Sequence, residues 1–301
     1  MTYNIPILFL VFNRPETTKR VLLEIRKIKP TKLYVVADGP RKNNLKDKEN
    51  CEKVRNLIDE LVDWKCVVKK TYRKENLGCR KSVSEGITWF FKNEEMGVIL
   101  EDDTLPDLTF FDFCKKLLLK YKNDSSIMQI SGSTFINNLI VEKYLDGDYF
   151  FSKYFHIWGW ATWRRAWQLY DVNMVNYNKI GSDIIKKNTS NLLEYIYWKR
   201  QFGLTYLNKI DTWDNSFLFS MWANKKIAIQ PKYNLVENIG FGSESTNTSN
   251  IIVQPPVHPF IIKNDQISKK IINSVDKYIS KKAFGISACG FISKVYNKIK
   301  F

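Results

Sequence analysis

The chain reads as an α/β protein built on a mostly parallel central sheet with helices on its faces. Apolar runs of strand length alternate with amphipathic helical patterns from Ile5 to Leu100, the signature of right-handed βαβ crossovers. Each run empties into a loop of polar or charged groups. The sharpest case is Gly97-Val-Ile-Leu-Glu-Asp-Asp103, where an apolar run stops in three consecutive acids.

Taken in order, Ile5–Phe12 is a strand. Thr17–Lys29 is a helix, with Val21, Leu22, Ile25 and Ile28 at helical spacing. Leu33–Ala37 is a second strand, closed by Asp38-Gly39-Pro40. Asp47–Val62 is a helix with Val54, Leu57, Ile58 and Leu61 turned inward, and Cys66–Thr71 is a third strand. Gly78–Lys92 is a third helix, Gly97–Leu100 a fourth strand, Phe110–Tyr121 a helix and Ile127–Ile130 a strand. An aromatic-dense block follows from Tyr149 to Tyr170, and no internal repeat is visible. A soft boundary near residue 130 separates a nucleotide-binding half (1–130) from an acceptor-binding half of the same domain (131–262), with a basic tail over 263–301.

Ligands of parallel sheets bind beyond the carboxyl ends of the strands. The loops there are Asn13-Arg14-Pro15, Asp38 to Arg41, Arg73 to Arg80, and Glu101-Asp102-Asp103. Three adjacent carboxylates repel one another unless a positive charge sits among them. Mn²⁺ or Mg²⁺ would neutralise them and bridge to a diphosphate. The plain alternative is a solvated acidic turn.

As a set these motifs resemble the GT-A-fold glycosyltransferases: Phe12-Asn-Arg-Pro15, Asp38-Gly39, Glu75-Asn-Leu-Gly78 and Glu101-Asp-Asp103. Within that group the chain is similar to the inverting N-acetylglucosaminyltransferase I type. It looks most like a bacterial surface-glycan branch with Trp-Gly-Trp-Ala-Thr-Trp, here Trp158–Trp163, and Asn-Ile-Gly-Phe-Gly, here Asn238–Gly242. The likeness covers roughly residues 3–260 and implies a Rossmann-like nucleotide-diphospho-sugar transferase.

The resemblance implies roles. Asp103 would ligate the metal, and Asp102 and Glu101 would orient ribose, sugar or a neighbouring Arg. Arg14 would pair with phosphates or with Glu101, unless it is a surface residue at a helix start. Phe12 and Asn13 would flank it. Asp38, with Gly39, would take an N–H of a uracil, which points to a UDP donor; the alternative is an Asp-Gly turn. Asn76, Gly78 and Arg80 would close over the nucleotide at a helix N-terminus. Thr212-Trp213-Asp214 matches the family's pattern for the general base, so Asp214 would deprotonate the acceptor hydroxyl, with Asp211 in reserve. Asp214 is equally suited to capping the next helix. Trp213, Trp160 and Trp163 are the aromatics kept for the acceptor cleft. One departure stands out: where the branch has Thr-His-Thr, this chain has Thr246-Asn247-Thr248. His156, just ahead of the Trp-Gly-Trp block, could approach the donor, and the plainer reading is a buried, satisfied histidine.

Of the 301 residues 44% are hydrophobic and 14% aromatic, which excludes a disordered chain; the formal net charge is +16. Such an excess points to a polyanionic neighbour. From Lys263 to Phe301 nine Lys face two Asp, a net of +7. Ile267, Ile271, Ile272, Val275 and Ile279 recur among those lysines, an amphipathic pattern suited to an anionic membrane surface. The alternative is a helix packed on the body. No apolar run reaches about 18 residues, and the N-terminal apolar run lacks a basic leader. Five scattered cysteines without a Cys-x-x-Cys pair fit a reducing cytoplasm. The expectation is a cytoplasmic enzyme on the inner membrane face, taking a nucleotide-diphospho-sugar donor and a glycan or lipid-linked glycan acceptor. Other readings are a sugar nucleotidyltransferase, disfavoured by the missing glycines after the first strand, a nucleic-acid binder without a recognisable module, and a membrane-binding protein acting through its tail.

Overall fold

The computed structural model describes residues 2–240 and 254–287. The first half follows the βα alternation: β1 (Ile7–Val11), α1 (Pro15–Ile28), β2 (Lys32–Ala37), α2 (Leu45–Leu61), β3 (Val67–Tyr72), α3 (Cys79–Asn93) and β4 (Met96–Glu101). Then come β5 (Thr104–Pro106), α4 (Leu108–Lys120), β6 (Ile127–Ser131), α5 (Asn138–Tyr144), β7 (Tyr149–Ser152), β8 (Trp160–Trp163) and α6 (Arg164–Trp167). The chain continues through α7 (Tyr177–Asn188), α8 (Leu192–Tyr206), α9 (Asp214–Ala223), β9 (Ile227–Pro231), β10 (Val236–Asn238) and α10 (Asn273–Ala283).

Eight strands form one sheet in the order β3-β2-β1-β4-β8-β6-β9-β7. β3, β2, β1 and β4 are mutually parallel, β6 and β9 run with them, and β8 and β7 run against them. The mostly parallel α/β class is therefore observed. β1 is buried along its whole length, as a strand covered on both faces must be. α1 starts with Pro15 in its first turn, buries Val21, Leu22 and Ile25 against the sheet, and stops at Lys29 in a left-handed conformation. A small antiparallel pair, β5 with β10, sits beyond β4 and brings Asn238 opposite Thr104.

Two sequence expectations change. Trp160 and Trp163, assigned to the acceptor cleft, lie in β8 at the centre of the sheet and are 0% and 2% exposed. Trp160 pairs in register with Ile99, and its ring stacks on Trp213 at 5.4 Å. Aromatic area of that size is worth most when wholly removed from water, and the strand geometry does that.

The second change is the tail. Residues 263–287 are not a separate basic segment; they pack on the body. Asp148 accepts the backbone N–H groups of Lys263 and Asn264, both at 2.7 Å. Ile271 bridges Phe151, and α10 buries Val275 and Ile279 completely. Asp276 accepts from Ser152 Oγ at 2.5 Å and from the Lys153 N–H at 3.1 Å. Of the apolar face assigned to a membrane, Val275 and Ile279 thus face protein, whereas Ile271 is 36% exposed. Residues 288–301 lie outside the described residues. Among the described residues no helix is long and apolar enough to cross a membrane.

Candidate active site

The carboxyl ends of β1, β2 and β4 open into one cleft of about 830 Å³. The turn after β4 is tied by Thr104, whose Oγ1 accepts from the Glu101 N–H at 2.9 Å and donates to the Glu101 carbonyl at 3.0 Å. This turn presents Asp102 and Asp103 to Arg14 at the end of β1. Arg14 Nη1 lies 2.6 Å from Asp103 Oδ2 and 3.5 Å from Asp102 Oδ1, and the Phe12 N–H donates to Asp102 at 3.0 Å. The sequence reading paired Arg14 with donor phosphates or with Glu101; its ion pairs run to Asp102 and Asp103. Burial, then Asp103 and Asp102, push the Glu101 carboxyl well up, and burial with Asp103 raises Asp102.

Asp102 and Asp103 thus share the Arg14 guanidinium, and beside them Glu101 Oε1 is buried without a partner among the described residues. An all-oxygen donor set with excess negative charge fits a hard divalent cation whose other ligands come from a diphosphate. Among the described residues no group of three or more His, Cys, Asp or Glu is arranged to hold a metal ion by itself, so other ligands would be needed. Asp103, with Asp102, is the pair that would hold the ion. Asp103 is also fastened to the start of the Asn238-Ile-Gly240 string, since the Ile239 N–H donates to its carbonyl at 2.8 Å. Asn247 and the rest of that string lie outside the described residues.

On the β2 side, Asp38 is a latch. Its carboxylate accepts from Gly39 N–H (2.9 Å), Leu77 N–H (3.1 Å) and Asn76 Nδ2 (3.0 Å). The expected uracil acceptor is therefore already engaged by the chain's own donors, and its effect is to clamp the 75–78 loop to the sheet. Burial raises this carboxyl. Gly39 permits the clamp: a Cβ there would lie 2.4 Å from the Glu75 carbonyl carbon. Gly78 turns the chain into α3 at φ +80°, where a side chain would be strained.

Asp211 is not placed as a base. Both its oxygens accept from the first N–H groups of α3, Cys79 at 2.9 Å and Arg80 at 3.0 Å, so it caps that helix across 132 and 131 residues of sequence. Arg80, expected over the nucleotide, sends its guanidinium the other way, to Asn208 Oδ1 and the Val172 and Thr205 carbonyls. Asn13 also turns aside and donates to Asp47 at 2.7 Å.

Two residues not singled out in the sequence complete this end. Buried Asp47 accepts from Arg41 Nε at 2.5 Å and Nη2 at 2.9 Å, which holds Arg41 at the cleft over the Phe12 ring at 5.7 Å. Arg41 stood in the Asp38–Arg41 loop as a signal, whereas nothing in the spacing marked Asp47.

Asp214 lines the same cleft, half-buried at the first turn of α9. Its Oδ1 accepts from Thr212 Oγ1 and from the Asn215 N–H at 2.8 Å. Burial raises its carboxyl. Its charge helps to raise both Glu101 and Tyr197. Phe135, His156, Trp158, Tyr197 and Phe284 line the same cleft. Trp213 borders the cleft but is 1% exposed, its ring spent on Trp160.

No protein-family model matches the chain, and no curated protein matches it. Among solved structures it is similar to a UDP-glucose pyrophosphorylase complexed with UDP-glucose, at 10% identity and TM-score 0.40, over 76% of this chain and 90% of that one. It is similar to the mannosyltransferase PcManGT from Pyrobaculum calidifontis in complex with GDP-Man and Mn²⁺, at 13% identity and TM-score 0.39, over 74% and 70%. Mouse xyloside xylosyltransferase 1, apo form, aligns at 12% identity and TM-score 0.36, over 75% of this chain and 84% of its own.

Proposed function

We propose that the protein is an inverting, metal-dependent glycosyltransferase that moves a sugar from a nucleotide-diphospho-sugar, UDP-linked, to a hydroxyl of a surface-glycan or lipid-linked acceptor. What supports this is the meeting, in one cleft, of the Arg14–Asp102–Asp103 cluster at the strand ends with the half-buried Asp214. Arg14 and Arg41 supply guanidinium forks for the diphosphate oxygens. The latched 75–78 loop covers the nucleotide. A divalent cation held at Asp103 and Asp102 would neutralise charge on the departing diphosphate. Asp214 takes the proton of the acceptor hydroxyl; that oxygen bonds to the anomeric carbon from the face opposite the diphosphate, and the bond to the diphosphate oxygen breaks. A carboxyl raised by burial is the stronger base for this task.

The test is thermal stabilisation by UDP, GDP, CMP and dTDP, each with and without Mn²⁺, in the wild type and in Asp103→Ala. Stabilisation by one nucleotide, dependent on Mn²⁺ and lost in the variant, is expected. Absence of stabilisation by every nucleotide overturns the reading. Products separate the enzyme classes: a glycosyltransferase releases nucleoside diphosphate, whereas a sugar nucleotidyltransferase consumes or releases pyrophosphate.

A further inference from the structure

α7 and α8 lie side by side, tied where Tyr177 Oη donates to the Lys199 carbonyl at 3.1 Å and Asn178 Nδ2 to Tyr206 Oη at 2.9 Å. One side of α8 is spent on the core: Glu194, Trp198, Phe202 and Thr205 are buried at helical spacing. The opposite side is also apolar. At 3.6 residues per turn, Leu192, Ile196, Gly203 and Leu207 fall within an arc of about 60°. Leu192 is 70% exposed, Ile196 37% and Leu207 59%. A helix with aliphatic side chains on both faces ordinarily has something to cover both. The charges around this stripe have one sign. Lys199 and Arg200 border it on either side, and Lys179, Lys186 and Lys187 are exposed on α7. From 177 to 207 the one exposed acid is Asp183, since Glu194 turns inward to Lys153 at 3.3 Å. A hydrogen bond with Ser182, then Lys199 and Lys186, hold the Tyr195 phenol below its ordinary value, so lysines of both helices meet at one ring.

We propose that this face of the α7–α8 pair docks on an anionic lipid surface, with Leu192, Ile196 and Leu207 below the headgroups and the five cations among their phosphates. Charge complementarity selects this occupant. A second copy of the chain, meeting the patch through a two-fold axis, would set five cations against five. Nucleic acid would meet the cations and leave the aliphatic side chains in water. An acidic bilayer answers both. The tail does not offer the same pairing: α10 exposes Lys277, Lys281 and Lys282 but keeps Val275 and Ile279 inside. The docking inference stands without the transferase reading. Taken with it, the placement has a use, because Tyr197 and the buried Trp198 of the same helix line the cleft. The cleft then opens about one helix diameter, roughly 10 Å, from the lipid surface.

The experiment is sedimentation of the full chain with vesicles of phosphatidylcholine, alone and with one part in three of phosphatidylglycerol. Binding to the anionic vesicles and not to the neutral ones is expected, weakening as salt rises. Leu192→Ser combined with Ile196→Ser should cut the partition coefficient about tenfold or more. Lys186→Gln combined with Lys199→Gln should do the same, since each cation near an anionic surface is worth about fivefold. All four side chains lie outside the core, so either pair decides if the other fails to fold. Lys277→Gln, Lys281→Gln and Lys282→Gln together, on α10, should weaken binding less than either pair does. Absence of binding to anionic vesicles overturns the inference. So does binding that both α8-face pairs keep and the α10 triple variant loses, which would make the tail the anchor. Light scattering of the free chain tests the other occupant: a dimer that the Leu192 and Ile196 substitutions dissolve assigns the face to a second copy and overturns the proposal. Nucleotide stabilisation should be unchanged in every variant, so a failure to dock leaves the transferase reading standing.

Discussion

Asp214→Asn separates catalysis from architecture. The substitution keeps the side chain's shape and its Oδ1, so the hydrogen bonds from Thr212 Oγ1 and the Asn215 N–H are retained, each worth about 1 kcal/mol. It removes a charge that burial disfavours, since the carboxyl sits above its ordinary value with desolvation as the largest cause. Stability should therefore stay level or rise: a Tm change between zero and a few degrees upward, given roughly 2–4 °C per kcal/mol for a chain of this size. Turnover should fall by about 10²–10⁴, the usual contribution of a positioned base. The assay pairs calorimetric melting with nucleoside diphosphate release in the presence of acceptor. A fall in Tm of several degrees with turnover within a few-fold of wild type would mean that Asp214 is only a helix-start residue, and the base must be sought elsewhere.

Three further outcomes follow from the same geometry. Asp211→Ala strips the cap from α3 and should cost about 1 kcal/mol, a drop of roughly 2–4 °C in a melting scan, with turnover reduced less than tenfold; turnover loss as deep as that of Asp214→Asn would contradict the capping role. Arg14→Ala leaves Asp102 and Asp103 without their guanidinium and should destabilise by about 3 kcal/mol. Part of that loss should return on adding Mn²⁺, and equal Mn²⁺ stabilisation of variant and wild type would count against a shared cation site. Burial raises Asp276 from 3.8 to about 6, so the folded chain binds its proton more tightly than the unfolded one, and this group's stabilisation is present below about pH 4 and lost as pH climbs to about 6. The loss amounts to about 3 kcal/mol at most, and Asp276→Asn should not show it. Denaturant melts from pH 4 to 7 decide, and parallel curves for the two chains would refute the assignment.

The first half of the fold was legible because parallel strands are apolar on both faces. Ile7–Val11 and Lys32–Ala37 therefore stand out as runs, and the helices between them carry clean stripes such as Val21, Leu22 and Ile25. The acidic turn and Arg14 were legible for the same reason, since strand ends are fixed once strands are. The aromatic block was not. Trp160 and Trp163 look identical in sequence whether a strand buries them or a cleft presents them, and only the pairing of β8 between β4 and β6 settles it. Asp211 and Arg80 eluded sequence reading because each acts on groups far along the chain, so local spacing carries no trace of the contact. The tail misled for a physical reason too: a basic helix with one apolar face has the same pattern whether that face meets lipid or protein.

The return of residues 254–287 across the body sets an order of assembly during synthesis. All ten strands are contained in the chain up to Asn238, so the sheet and the Arg14–Asp103 cluster can form before that segment emerges. Phe284 comes more than forty residues later, and until it docks, one wall of the cleft is missing. On the transferase reading proposed above, a nascent chain in that interval would meet its donor in a cleft still open along one side. The docking of α10 and Phe284 then supplies that side, so the last described part of the chain to emerge is the part that completes the cleft.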